Sequence, residues 1–236
     1  MRYVEKIFEI KDFENKVRLP FLINREINDS EYINMIAIKD SLNSYIYGKS
    51  IKGALTVKEL DVLLAMMNIF NYSSNKNRVK EYNINFSSRE LLLNIKKTYT
   101  LENINKLKYI LEVLNDSFFG NKRIIERFSW DRTNKDDAYY IKLNSDIFEY
   151  YYLKVYKKID YNKYSGLVEK LSGKLYIHLL YNPILEEYNK NELIQDMLIV
   201  SEQFALIENA LYELRWNRII ENFVINKDYI IIKKFT

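Results

Sequence analysis

The chain carries one pattern twice: residues 90–128 read ELLLNIKKTYTLENINKLKYILEVLNDSFFGNKRIIERF, and residues 192–223 read ELIQDMLIVSEQFALIENALYELRWNRIIENF. Each copy predicts a short helix, a turn, a longer helix and a β-rich segment. The longer helices carry apolar residues at one shared spacing, namely Ile104, Leu107, Leu111 and Leu114, and Phe204, Ile207, Leu211 and Leu214. This order is that of a winged helix. We therefore predict an α+β fold with two tandem winged-helix domains, mostly helical with small β-hairpin wings.

Length and composition suit two compact domains. Of the 236 residues 48% are hydrophobic, and Gly and Pro are scarce at 5 and 2, so the chain can bury a substantial core. We predict an N-terminal arm over 1–54, a first winged-helix domain over 55–160 and a second over 161–236. The pattern over 31–46 favours an amphipathic helix in the arm.

The cellular setting follows from what the sequence lacks. There is no cysteine, which excludes disulfides and thiolate metal sites and suits a reducing interior. No apolar run approaches the roughly 18–20 residues of a membrane span, and the N-terminal residues lack the apolar core of a signal peptide. We expect a cytoplasmic protein with no membrane partner.

Charge is concentrated in the first copy. Residues 72–135 hold 13 Lys and Arg against 7 Asp and Glu, whereas residues 163–236 hold 9 against 10. A basic segment that coincides with a helix and hairpin unit is typical of phosphate contact. Solvated surface charge is the alternative reading of the same residues.

The first copy begins with a predicted capping box, Thr56 with Glu59. The helix that it opens places Leu60, Leu63, Leu64 and Met67 on one stripe. A strand is predicted over 81–86, where Tyr82, Ile84 and Phe86 alternate. Ser87 with Glu90 repeats the capping box and opens the short helix, and a turn over 96–100 leads into the helix that ends near Asp116.

The residues left facing outward are candidate DNA contacts. Asn makes bidentate contacts to adenine, Thr and Lys suit phosphate, and a helix N-terminus favours an anion. In the turn and second helix the candidates are Lys96, Lys97, Thr98, Thr100, Asn103, Lys106 and Tyr109. The predicted wing, whose return strand is 139–143, adds Lys122, Arg123, Arg127 and Arg132.

The second copy begins with a helix predicted over 163–180 and stopped by Asn182-Pro183. Asn189 with Glu192 caps the next helix, and Ser201 is predicted to cap the third. Its outward candidates are Ser201, Gln203, Asn209, Arg215 and Arg218. Glu202, Glu208 and Glu213 make this helix more acidic than a DNA reader usually is, so a structural or dimerising role competes with DNA binding.

The order of parts resembles the initiator (Rep) proteins of iteron-containing theta-replicating plasmids. The resemblance is carried by LTVKEL at 55–60, SSREL at 87–91, YYIKL at 139–143 and LSGKLYIHLL at 171–180, and it runs from about Leu55 to the end of the sequence. It implies two tandem winged helices, origin binding to short direct repeats, local duplex melting, and a switch between an inactive homodimer and an active monomer. It also implies major-groove contacts by the second copy, and it makes host replication proteins candidate partners.

Catalytic readings find little support. With His178 as the single histidine, a paired-histidine metal site beside the tyrosines at 150–152 cannot be built. No GxxxxGK[ST] phosphate loop and no G-x-S-x-G serine elbow is present. We expect no catalytic residues, no metal and no cofactor.

The sequence thus predicts a non-enzymatic, sequence-specific double-stranded DNA-binding protein that initiates plasmid or phage replication. A winged-helix transcriptional regulator and a winged-helix protein–protein scaffold remain alternatives.

Overall fold

The structure is a computed structural model that describes residues 4–9, 33–39, 45–50, 55–74, 82–119, 122–131, 137–169, 171–182, 186–199 and 203–235. Its helices are α1 Val57–Ser74, α2 Ser88–Asn94, α3 Leu101–Asn115, α4 Ser145–Tyr151, which continues as a π-helical segment Tyr152–Tyr156, α5 Tyr161–Tyr164, α6 Ser172–Tyr181, α7 Lys190–Asp196 and α8 Ala205–Trp216. Its strands are β1 Val4–Glu9, β2 Ile33–Lys39, β3 Tyr45–Ser50, β4 Asn83–Ser87, β5 Ser117–Phe119, β6 Lys122–Arg123, β7 Ile125–Asp131, β8 Ala138–Leu143, β9 Glu187–Asn189, β10 Ile220–Ile225 and β11 Tyr229–Lys234.

The duplication seen in the sequence is a duplication of topology. The first copy forms the sheet β4-β8-β7 and the second forms β9-β11-β10. In each sheet the strand that precedes the short helix pairs antiparallel with the second strand of the hairpin. These pairs are β4 with β8 in the first copy and β9 with β11 in the second, and the hairpins are β7-β8 and β10-β11. The predicted α+β fold with small β-hairpins is confirmed.

The helix caps and core of the first copy follow the sequence. The Glu59 carboxylate accepts hydrogen bonds from the backbone N–H of Thr56 at 2.7 Å and from its hydroxyl at 2.6 Å. Ser87 and Thr100 cap α2 and α3. The predicted apolar stripes are buried, namely Leu60, Leu63, Leu64 and Met67 on α1, and Ile104, Leu107, Leu111 and Leu114 on α3.

The helix predicted over 31–46 is wrong, because this part of the chain contributes two strands. β2 pairs parallel with β1 on one side and antiparallel with β3 on the other. β3 also pairs with β5 of the first copy. Main-chain pairing on both sides of β2 satisfies its backbone groups and overrides the helical period of its apolar residues.

The single helix predicted over 163–180 is also wrong. α5 ends at Tyr164 and α6 begins at Ser172. Between them the N–H groups of Val168 and Glu169 donate to the Glu213 carboxylate at 2.6 and 2.9 Å. These bonds to α8 replace the helical ones, so the chain turns before α6. α6 ends at Tyr181 with Asn182 as its C-cap, and Asn189 caps α7, both as predicted.

Within the described ranges, every helix is too short or too polar to span a lipid bilayer.

Candidate nucleic-acid interface

The turn of the first copy is closed by a lysine in the left-handed region. Lys96 has a φ of 51°, and the next N–H, that of Lys97, donates to the Leu92 carbonyl at 2.8 Å. This geometry ends α2 without a glycine. Lys97, Thr98 and Thr100 follow on an exposed turn that leads to the N-terminus of α3.

Asn103 lies in this turn's own hydrogen-bond network. Its amide nitrogen donates to the Thr98 carbonyl at 2.9 Å and to the Thr98 hydroxyl at 3.1 Å. Its backbone N–H donates to the Thr100 hydroxyl at 3.3 Å. The amide that was expected to read a base is therefore used to fix the turn.

Lys106 and Tyr109 are exposed on α3 as expected, but Asn103 is half-buried and Asn105 is exposed instead. Leu101 is 73% exposed, and Asn105 and Tyr109 are exposed one and two turns later. Residues spaced by four lie on one face of a helix. Sequence reasoning missed Leu101 and Asn105, although their spacing from Tyr109 is the signal that identifies them.

Lys106 lies beside this face and forms an ion pair with Glu102. A hydrogen bond from Lys106 holds the pKa of the Glu102 carboxyl below its usual value. Both side chains are exposed, so the pair adds little stability and leaves the lysine able to exchange its partner for a phosphate.

The wing of the first copy is the hairpin of β7 and β8, and it is fixed against α3. The Lys108 ammonium lies 4.1 Å from the centre of the Trp130 ring and 3.4 Å from the Asp137 carboxylate. The Trp130 ring stacks on Tyr139 at 5.8 Å. These contacts fix the position of the wing relative to α3.

The basic residues predicted for this wing divide between two hairpins. Arg127 lies exposed on β7, opposite Lys142, whereas Arg132 lies outside the described residues. Lys122 and Arg123 form β6 and pair with β5 at one edge of the five-stranded sheet β1-β2-β3-β5-β6, so their placement on the wing is wrong. Lys122 forms an ion pair with Asp146, and Arg123 lies over the Phe118 ring.

The second copy presents a different surface. Ile207, Leu211 and Leu214 of α8 are buried as predicted. The solvent side carries Asn209, Tyr212, Arg215 and Trp216, of which Trp216 is 88% exposed. Gln203 is half-buried, Arg218 is exposed in the left-handed region with a φ of 54°, and Ser201 lies outside the described residues.

Two of the acidic side chains of α8 are half-buried and so contribute less to its exposed surface. Glu213 is half-buried and accepts the two N–H groups of Val168 and Glu169, and Glu208 is half-buried as well. The exposed face of α8 is therefore more basic and aromatic than its composition indicates. Its hairpin exposes Val224 opposite Ile231, an apolar pair where the first wing has Ser129 opposite Tyr140. The position of Arg127, which lies opposite Lys142 in the first wing, is taken here by Asn222, opposite Lys233.

His178 packs on α6, with its Nε2 3.8 Å from an Asp196 carboxylate oxygen. Within the described residues, no three His, Asp or Glu side chains are grouped as a metal site requires.

Two crystal structures share this fold. Both contain domains 2 and 3 of RctB, one of them as selenomethionine derivatives. The first superposes with a TM-score of 0.61 over 80% of this chain and 86% of the RctB chain. The second has a TM-score of 0.53 over 81% and 87%. Sequence identity is 14% in both.

The winged-helix fold of those RctB domains confirms the fold that the repeat predicts. No protein-family model and no curated protein sequence matches the chain.

Proposed function

We propose that the chain is a non-enzymatic, sequence-specific double-stranded DNA-binding protein that initiates plasmid or phage replication by binding direct repeats at an origin. The observation that carries the proposal is the repeated unit itself. Each copy presents a helix with one exposed face, followed by a two-stranded hairpin. RctB, whose domains share this fold, is an origin-binding replication initiator, which supports the same assignment here.

The first copy leads binding in this account. Its turn places Lys97, Thr98 and Thr100 at the N-terminus of α3, where a phosphate is favoured. Leu101, Asn105 and Tyr109 face the major groove, in which leucine suits a thymine methyl and asparagine suits adenine. The backbone contacts come from Lys106 and from Arg127 of the wing, and Arg132, five residues after Arg127 in the sequence, is a further proposed contact.

The second copy adds a further reader. Asn209 and Tyr212 lie on the exposed side of α8, and Arg215 and Arg218 lie at its C-terminal end. Gln203 lies just before α8, and Gln203 and Ser201 are further proposed contacts. Two adjacent readers suit short direct repeats that are longer than one winged helix can cover.

A protein–protein scaffold is the second candidate function, and one observation favours it. Trp216, Tyr212, Val224 and Ile231 leave aromatic and aliphatic surface exposed on the second copy, and such surface is typical of partner contacts. A homodimer or a host replication protein would be the partner. This role and DNA binding by the first copy are compatible.

A salt titration tests the proposal. Fluorescence anisotropy of a labelled random-sequence duplex at several KCl concentrations reports the number of phosphate contacts. We expect binding that weakens steeply with salt, and we expect Arg127→Ala to reduce the salt slope by about 0.9. Lys122→Ala is the matched control, because Lys122 lies on the other hairpin beside Asp146. Binding that is absent or independent of salt would exclude a DNA-binding function and leave the scaffold.

A further inference from the structure

The turn between α2 and α3 is held by residues from outside the first copy's helices. The Tyr161 hydroxyl donates to the Asn94 carbonyl at 3.2 Å. The Lys96 ammonium donates to the Asn162 carbonyl, also at 3.2 Å. Tyr161 and Asn162 belong to the segment that connects the two copies, residues 160–166, which we call the connecting segment.

The hydrogen bond from Tyr161 satisfies a backbone carbonyl at the C-terminal end of α2. The last carbonyls of a helix have no partner inside it, and Asn94 is the last residue of α2. Its side chain is held as well, since its Oδ1 accepts from Asn68 at 2.6 Å and Asn68 accepts from the Tyr156 hydroxyl at 2.7 Å. The end of α2 is thereby fixed from α1 and from the connecting segment together.

In the second copy, the described part of the equivalent turn receives a hydrogen bond from a helix of the same copy. α7 is followed by Leu198, which has a φ of 53°, close to the 51° of Lys96 in the first copy. Here the carbonyl beside the turn is that of Met197, and it accepts from the buried Lys174 ammonium at 2.9 Å. Lys174 lies on α6 of the same copy. The turn of the second copy is therefore bonded by a helix of its own copy, whereas the turn of the first copy is bonded by the connecting segment.

The connecting segment is itself anchored. Tyr164 donates to Asp61 of α1 at 2.7 Å, and the Tyr161 ring lies between those of Tyr156 and Tyr164 at 5.8 and 6.2 Å. Gly166 leaves room for the lysine, because a Cβ there would lie 3.2 Å from the Lys96 Nζ. Because the connecting segment is held against α1, its hydrogen bonds can hold the turn between α2 and α3 in one position.

We propose that the connecting segment braces the helix–turn–helix of the first copy, with Lys96 and Tyr161 as positioning residues that set the orientation of α3. This inference rests on the proposed DNA-binding function and refines it. Lys96 then acts through the Asn162 carbonyl, whereas Lys97, of the same charge and next in sequence, makes the phosphate contact. The first copy's affinity for DNA depends in this way on the chain that leads to the second.

The two neighbouring lysines provide the test. Lys96→Met and Lys97→Met each remove one charge, and each variant is titrated with the random-sequence duplex at several KCl concentrations. Removing a phosphate contact lowers the magnitude of the salt slope by about 0.9. We expect that fall for Lys97→Met only. Lys96→Met should keep the wild-type slope and bind about three- to tenfold more weakly at every salt concentration, the effect of one lost hydrogen bond.

Two variants that alter no charge complete the test. Tyr161→Phe and Gly166→Ala should weaken binding without changing the slope, and Tyr161→Phe should add little to Lys96→Met because the two act on one brace. Tyr188→Phe is the matched control, since it removes a hydroxyl that donates to the Asn182 carbonyl at 3.3 Å in the second copy.

The outcomes separate the two proposals. Equal slope losses for the two lysine variants, or wild-type affinity in Tyr161→Phe, would overturn the brace while leaving the DNA-binding function intact. A wild-type chain that binds no duplex would overturn the function itself, and the brace with it.

Discussion

The Tyr164 hydroxyl donates a 2.7 Å hydrogen bond to the Asp61 carboxylate, 103 positions earlier in the chain. The bond joins the connecting segment to the first helix of the first copy. Burial raises the pKa of Asp61 to about 6, although the Tyr164 hydrogen bond and the Lys97 charge act in the opposite direction. The contact between the first copy and the connecting segment therefore contains a carboxyl group whose pKa is raised to about 6.

Asp61→Asn should stabilise the protein at neutral pH. A carboxyl whose pKa is raised by folding contributes most to the free energy of unfolding below its unfolded-state pKa near 3.8. That contribution is lost as the pH rises through the folded-state pKa of about 6. The asparagine keeps an oxygen that can accept from Tyr164 and removes the buried charge. Denaturant unfolding should show a higher free energy for the variant at pH 7 and a smaller difference at pH 4.5. A difference of equal size at both pH values would contradict the burial of the charge.

Gly173→Ala should destabilise the protein although alanine favours helices. A Cβ at position 173 would lie 2.8 Å from the Cε2 atom of the Tyr164 ring, so the ring that bonds Asp61 must move. We expect a loss of about 1–3 kcal/mol in the free energy of unfolding. Ser172→Ala is the control on the same helix, because the buried Ser172 hydroxyl has no hydrogen-bond partner in the described residues. An alanine at 173 that stabilises as its helix propensity predicts would contradict this packing.

Lys174 should make stability rise with pH above neutrality. Burial lowers its pKa to about 7, and Asp196 opposes that shift. Between this value and the ordinary 10.5 the unfolded chain binds more protons than the folded one, so the free energy of unfolding increases with pH. Unfolding measured from pH 7 to 9 should show this slope in the wild type and a flatter one in Lys174→Met. Parallel slopes would show that Lys174 stays charged in the fold.

Asn105 and Asn103 should behave differently on DNA. Asn105→Ala should relax the preference at one base pair, with a cost of about 1–3 kcal/mol against the preferred site. Asn103→Ala should weaken binding to all sequences alike, because Asn103 holds the Thr98 turn. Binding to a selected site and to its single-base variants separates the two effects. A loss of base preference in Asn103→Ala alone would reverse the assignment.

Periodicity predicted the parts of the fold that depend on local sequence. The apolar spacing of Ile104 to Leu114 and the capping residues Thr56, Ser87 and Asn189 need only neighbours along the chain, and the structure has them as predicted. β2 was mistaken for a helix because its pairing with β1 and β3 involves residues distant in sequence. The break after α5 was missed for the same reason, since its cause is Glu213 on α8.

DNA contact by the candidate residues stays a prediction, and the structure shows only how these residues are placed. The turn and the exposed side of α3 lie where the sequence places them, yet Asn103 faces the turn and Asn105 faces solvent. A helical repeat gives the buried stripe accurately, but it does not show which flanking polar side chain a neighbouring turn will engage. Likewise, the roles of Lys96 and Lys122 depend on Asn162 and Asp146, which no local pattern connects to them.

Selection of bound sequences from a random duplex library tests the central claim most directly. If both winged helices read DNA, the wild-type chain should enrich one repeatable motif of about 20 base pairs, roughly the span of two adjacent major-groove readers. A motif of half that length would assign reading to one copy. A library that emerges without any enriched motif would contradict sequence-specific DNA binding by this chain.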